Sequence, residues 1–184
     1  VLVDILGAIH QGPRAVEDLA VGDLVLTADH GPQAIRWIKA RKVHRWALSA
    51  APHLRPIRIA AGALGPGCPE ADLLVSPQHR MLVRSRIVER MFEAGEVLVG
   101  AKHLIGLPGI EVAEDVVDVT YVHFLCDQHE VVFANGAPTE SLYAGPMAMK
   151  ALGEAAVSEI LTLFPELAQM GSYGLTPARP LVKG

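Results

Sequence analysis

Short apolar runs, each bounded by turn residues, fill most of the chain up to about residue 134. The runs are rich in Val and Ile, and Gly, Pro or Asp stands between them, which is typical of strands joined by turns. No helical period lies between the runs, so the pattern predicts a mainly β fold, sandwich-like or barrel-like, rather than βαβ units. The predicted strands are 1–5, 22–29, 34–38, 57–64, 73–77, 80–85, 96–104, 118–126 and 129–134.

The pattern changes in the last part of the chain. Between residues 146 and 168 apolar residues recur at intervals of three and four, which predicts a helix that Pro165 ends. We therefore expect a β domain over 1–145, a C-terminal helix over 146–168 that is packed on it or appended to it, and an extended tail over 169–184. The apolar positions of the predicted helix are Met149, Leu152, Ala156, Ile160 and Leu163.

Composition narrows the function. The chain has 184 residues, 16 basic and 20 acidic, with a formal net charge of -4, and it has no long basic run, so we expect no nucleic acid partner. No apolar run approaches the roughly 20 residues that span a bilayer, so we expect no membrane partner. The apolar start of the chain, 1–9, lacks a basic lead-in, so we do not expect it to be a signal peptide. Cys68 and Cys126 form no CxxC pair, and we expect buried free thiols.

The run LLVSPQHRMLV (73–83) carries the first candidate chemistry. Pro77 restricts its own φ and favours an extended Ser76, so the turn can direct the Ser76 hydroxyl and the His79 imidazole to one point. A hydroxyl that polarises a carbonyl, beside an imidazole that protonates a leaving amide nitrogen, suits the breaking of an amide. Taken alone, the run also fits a tight turn with a structural histidine.

The run YVHFLCDQHEVVFANG (121–136) carries the second. If Asp127 and Gln128 form a hairpin loop, Cys126 faces His129, and Asp127 can orient His129. A zinc site would need His123, Cys126, Asp127 and His129 to converge, whereas the hairpin places His123 and His129 on opposite faces. The absence of GxSxG argues against a serine hydrolase.

Together these motifs resemble the Hint (hedgehog/intein) superfamily, and the bacterial Hint-domain proteins in particular. The resemblance rests on Ser76-x-x-His79, on His129-x-x-x-Phe133 followed by Asn135-Gly136, and on the opening stretch 12–38. It covers about residues 1–145 and implies an all-β, horseshoe-like fold with pseudo-twofold symmetry. It implies no cofactor and no metal. It also implies a bacterial protein, secreted or cytoplasmic before export.

The resemblance implies autoproteolysis of a covalently linked upstream passenger polypeptide. In the family a cysteine at the start of the domain attacks the preceding carbonyl, and this N-to-S acyl shift gives a thioester. Carried over, His79 is the acid for the shift and Ser76 its polar partner. The other residues that match are His129 and Asp127 as supporting groups, with Cys126, His123 and Asn135 as secondary candidates.

Two departures from the family shape this expectation. The first position is Val1 rather than Cys or Ser, so we expect the nucleophile at or before Val1, or lost from this copy. The chain also lacks a terminal Asn, and Asn135 is followed by GAPTESLY, so we expect N-terminal cleavage rather than full protein splicing. Two alternatives stay open: a Hint-like binding or assembly module without a nucleophile, and a metal-dependent hydrolase built on His79, His123 and His129.

Overall fold

The computed structural model describes residues 4–6, 12–143, 154–169 and 176–182. The described residues form a mainly β protein, as the apolar pattern predicts. Thirteen strands follow one another in the order β1 Asp4–Leu6, β2 Pro13–Ala15, β3 Leu24–Thr27, β4 Gly31–Ala34, β5 Trp37–Val43, β6 Ile57–Ile59, β7 Leu73–Val75, β8 Arg80–Val83, β9 Val97–Gly100, β10 Ile110–Val112, β11 Val119–Leu125, β12 Val131–Ala134 and β13 Ala137–Glu140.

The strands form three antiparallel sheets. The largest has the order β2-β1-β12-β13-β8-β9, and β3, itself paired with β4, also pairs with β12. A second sheet has the order β10-β6-β7, and a third is a long ribbon of β5 and β11. In the ribbon Val43 lies opposite Val119, and Trp37 lies opposite Leu125.

Among the described residues, three α-helices accompany the sheets: α1 Arg45–Ala50, α2 Arg86–Phe92 and α3 Glu154–Leu163. Helix α3 is followed by a 3-10 turn that begins at Pro165, because proline cannot continue the helical hydrogen bonds. Ile160, Leu163 and Phe164 pack in one core cluster with residues of the β5–β11 ribbon. The predicted helix residues 146–153 lie outside the described residues. No helix among the described residues is long and apolar enough to cross a membrane.

The structure corrects the predicted hairpin around Asp127. Strand β11 ends at Leu125 and pairs with β5, whereas β12 begins at Val131 and belongs to the large sheet. The intervening residues therefore lead from one sheet to another. The predicted strand 34–38 is also wrong in detail, because β4 ends at Ala34 and β5 begins at Trp37.

A true hairpin joins β12 to β13 through Asn135 and Gly136. Both residues have positive φ, 47° and 75°, and Asn-Gly is the sequence that such a two-residue turn favours. The turn sets the register in which Val132 lies opposite Thr139. It thereby places Thr139 and Glu140 against β8, the strand that follows the SPQH motif.

Replacing Gly136 with alanine should lower the free energy of unfolding by about 1–2 kcal/mol, because an L side chain is strained at this φ. The added Cβ would also lie 3.0 Å from the Glu70 side chain. Urea unfolding measures the change. Gly95→Ala is the matched control, since no heavy atom lies within 4 Å of its Cβ and its φ is not in the left-handed region. Equal stability of the two variants would contradict the prediction.

Candidate active site around His79

The SPQH residues form a β-turn. The backbone N–H of His79 donates to the carbonyl of Ser76 at 3.0 Å, and Pro77 takes the second position, where its fixed φ suits a turn. Two further bonds clamp the turn: Ala101 N–H donates to the His79 carbonyl, and Lys102 N–H donates to that of Pro77, both at 2.9 Å. The turn therefore presents the His79 ring from a backbone held on both sides.

The His79 ring is held by Thr139 of β13. Its Nε2 lies 2.6 Å from the Thr139 hydroxyl, and that hydroxyl donates its own hydrogen to the Arg80 carbonyl at 2.8 Å. A hydroxyl has one hydrogen to give, so Nε2 of His79 is the donor to Thr139. The proton therefore sits on Nε2, and Nδ1 is the nitrogen with a free lone pair.

Burial lowers the pKa of His79, because a low-dielectric site disfavours the charged imidazolium. The ring is consequently neutral at neutral pH. Nδ1 has no hydrogen-bond partner among the residues that the structure describes. A neutral imidazole with an unengaged nitrogen can accept a proton from a group that approaches it.

His79 borders a cavity of about 60 Å³ with mostly apolar walls. His123 lies on the same cavity, and its ring centroid is 5.7 Å from that of His79. Burial lowers the pKa of His123 to about 3, with His79 adding to the shift, so this second ring also stays neutral. The other polar residues that line the cavity are Ser76, Thr120, Tyr121, Thr139 and Glu140.

Behind Thr139 lies a buried group of charged and polar side chains formed by Glu140, Arg80 and His129. Glu140 Oε1 accepts the backbone N–H of Arg80 at 3.0 Å and lies 3.4 Å from its guanidinium Nη1. Glu140 Oε2 lies 3.2 Å from His129 Nε2, close enough for attraction but outside hydrogen-bond geometry. All three residues are almost fully buried.

The carboxyl of Glu140 stays ionised. Burial by itself raises its pKa, but the neighbouring Arg80 and His129 outweigh burial, and the pKa falls to about 2. Arg80 Nε, His129 Nε2 and Glu140 Oε2 have no hydrogen-bond partner among the described residues. Buried polar atoms without partners cost stability, and such groups concentrate where a site has a function.

The His129 ring is held by two residues that follow it in the chain, Tyr143 and Ala178. Its Nδ1 accepts the backbone N–H of Ala178 at 3.1 Å, and its ring stacks on Tyr143 with centroids 4.7 Å apart. The ring is not part of the wall of the His79 cavity. Its link to the His79 region runs through Glu140.

Three other predicted residues make their contacts elsewhere and not with His79. Asp127 is exposed and bonds to Arg36 at 2.9 and 2.7 Å, so it does not orient His129. Cys126 packs in the apolar core, and burial raises the pKa of its thiol to about 12, so it is no nucleophile. Asn135 forms the β12–β13 turn and donates to the carbonyl of Asp72 at 3.1 Å.

Ser76 does line the cavity, but it bonds to His79 through its backbone carbonyl and not through its hydroxyl. Its side chain instead lies near Glu159 of α3 and lowers the pKa of that carboxyl. Thr139, Glu140 and Arg80 are the residues that the sequence interpretation missed. The available signal was the Asn-Gly turn, which predicts that 137–140 folds back on 131–134 and brings a polar pair into an apolar sheet.

The structure does not bring together the residues of the predicted metal alternative. Among the described residues, no group of three or more His, Cys, Asp or Glu side chains could hold a metal ion. Asp127, one of the candidate zinc ligands, instead forms an ion pair with Arg36.

Comparison with known proteins gives one family match. A family model described as "Hint domain" matches residues 6–146. Similar solved structures include the MchDnaB-1 intein, at 14% identity and TM-score 0.44 over 75% of this chain and 97% of that one, and the gp41-1 intein, at 14% and 0.43 over 75% and 96%. The Msm DnaB1 intein splicing domain bound with zinc is similar at 12% and 0.43, over 75% and 97%. A search of curated proteins finds no match.

Removing the Thr139 hydroxyl should destabilise the protein. Thr139→Val keeps the side-chain shape but leaves His79 Nε2–H and the Arg80 carbonyl without partners, which costs about 1–3 kcal/mol. Thr139→Ser should lose less because it keeps the hydroxyl. Urea unfolding is the measurement, and the exposed Thr162→Val is the control. A Val variant as stable as the control would contradict the assigned hydrogen bonds.

Glu140 should carry part of the acid sensitivity of the fold. Its pKa is depressed in the folded state, so its stabilising effect is present above the carboxyl's ordinary pKa and is lost as pH falls towards 2. Glu140→Gln should cost about 3–5 kcal/mol near neutral pH, because it breaks a buried charge pair. Urea unfolding at pH values from about 7 to 3 should show this difference shrinking. A difference that does not change with pH would contradict the assignment.

Proposed function

This chain belongs to the Hint domain family, and from that premise we propose that it is a self-processing domain that cleaves the peptide bond to an upstream passenger polypeptide. The observation that carries the proposal is the neutral His79, held through Nε2 by Thr139 with Nδ1 unengaged. Such a ring can move a proton between two atoms of one bound peptide.

The location of the N-terminal strand supports the proposal. Ile5 of β1 lies opposite Ala134 of β12, and Ala134 lines the His79 cavity. The start of the domain is thus one strand away from the cavity wall.

In the proposed reaction a thiol or hydroxyl of a residue that precedes Val1 attacks the carbonyl of the peptide bond before that residue. His79 Nδ1 takes the proton of that nucleophile and then gives it to the amide nitrogen as the C–N bond breaks. The acyl group is left on sulfur or oxygen, as a thioester in the case of a thiol. Water or another nucleophile then releases the passenger.

Glu140 has a supporting electrostatic role in this reaction. Burial disfavours the His79 imidazolium, and the negative charge of Glu140 favours it. The carboxylate therefore lowers the cost of the charged ring that forms between the two proton transfers. Ser76, whose carbonyl accepts the backbone N–H of His79, takes part in holding the turn.

The test uses the chain with its native upstream residues and a passenger, followed by mass spectrometry with added thiol. His79→Gln keeps a donor for Thr139 but cannot shuttle a proton, so cleavage should slow by about 100-fold or more. The exposed His103→Gln is the matched control and should cleave at the wild-type rate. Cleavage by His79→Gln at that rate would overturn the mechanism. A wild type that has its nucleophile and does not cleave would favour the binding-module alternative.

A further inference from the structure

Helix α3 lies outside the residues that match the Hint family, since it begins at Glu154 and the match ends at residue 146. It nevertheless carries a buried acidic side chain, Glu159, which is only 5% exposed. Glu154, on the same helix, is exposed to solvent, as is usual for a carboxylate on a surface helix. A carboxyl buried on one face of a surface helix calls for a specific partner.

The partners of Glu159 are the two residues that flank Pro77 in the SPQH turn. Glu159 Oε1 accepts the backbone N–H of Gln78 at 3.3 Å, and the Ser76 side chain is near enough to lower the pKa of the same carboxyl. The turn is therefore tied to α3 immediately before His79.

Glu159 also lies between two openings. Ser76 lines the His79 cavity, whereas Glu159, Pro77 and Gln78 line an outer groove of about 450 Å³. The contact of Glu159 with the turn thus lies between the cavity and the outer groove. The groove gives solvent a path to the carboxyl, so its protonation can follow the pH of the medium.

A second contact joins the same part of the chain to the site. The Phe164 ring, one residue after α3, packs edge-on against His123 with centroids 5.3 Å apart. His123 in turn lies beside His79. The C-terminal helix thus supports both the turn that carries His79 and the ring next to it.

We propose that Glu159 is a positioning residue of the processing site and that α3, from outside the Hint-matched residues, adds support to the turn that carries His79. The proposal rests on the proposed function. In its charged form Glu159 accepts the Gln78 N–H more strongly, and this holds His79 in the position from which Nδ1 reaches the passenger.

The proposal implies a pH dependence of its own. Burial raises the pKa of Glu159 to about 7. This rise is partly offset by Ser76, by the Gln78 N–H, and by the charges of Lys102 and Arg80, each of which lowers the pKa. The carboxylate is therefore formed as pH rises through about 7 and lost below it. The charged and titratable groups that face Glu159 from the elements packed against it, or share its groove, are Arg80, Lys102, Tyr121 and His53.

The experiment compares Glu159→Gln with Glu154→Gln in the full chain carrying its upstream residues and passenger. Glu159→Gln keeps the shape and removes the charge, so cleavage at about pH 8 should slow about tenfold or more, the effect of losing a charge-assisted hydrogen bond. At about pH 6 the Gln variant and wild type should cleave at similar rates, because wild-type Glu159 is then neutral. Glu154→Gln should match wild type at both pH values.

Hydrogen exchange at the Gln78 amide gives a second readout that needs no cleavage. Exchange should be faster in Glu159→Gln than in wild type or Glu154→Gln. Wild-type rates and unchanged Gln78 exchange in Glu159→Gln would overturn the proposal. If wild type itself does not cleave, the proposed function fails before any variant is compared, and the exchange measurement alone decides whether Glu159 holds the turn.

Discussion

The hydrogen bond from His79 to Thr139 is the contact on which the arrangement of the site depends. It joins the SPQH turn to β13, two segments 60 residues apart in the chain. Thr139 lies opposite Met81 in the β13–β8 pair, so a shift of one residue in register would turn the hydroxyl to the other face of the sheet. The Asn135–Gly136 turn sets that register, and the position of His79 therefore depends on a turn that lies outside its own motif.

Strand β13 also places a charged side chain, Glu140, in the core, where its burial costs free energy. Glu140 follows Thr139 and is ionised while buried, with Arg80 and His129 around it. A buried charge cluster contributes little to net stability, because removing charges from water costs about as much as their attraction returns. The apolar clusters of the large sheet and of the β5–β11 ribbon contribute the stability that offsets the cost of burying these charges.

The sequence predicts the local part of this site well. Ser76 and His79 stand out because Ser-Pro-x-His is a turn signal inside an apolar run, and the structure places both on one cavity. Thr139 and Glu140 are not predicted from the sequence, because they come next to the SPQH turn through strand pairing across more than fifty residues. Asp127 is close to His129 in the sequence, but its carboxylate is held by Arg36, 91 residues away, so closeness in the sequence does not predict the contact. Most strands follow from the apolar pattern, but the assignment of β11 and β12 to different sheets is a tertiary property.

The central claim concerns one proton: His79 is neutral and carries its hydrogen on Nε2. Nitrogen NMR of the protein with labelled histidine distinguishes the two neutral tautomers and the imidazolium. The structure predicts the Nε2–H tautomer for His79 at neutral pH, because the Thr139 hydroxyl donates to the Arg80 carbonyl and can only accept from the ring. An Nδ1–H tautomer or a charged ring at that pH would contradict the account.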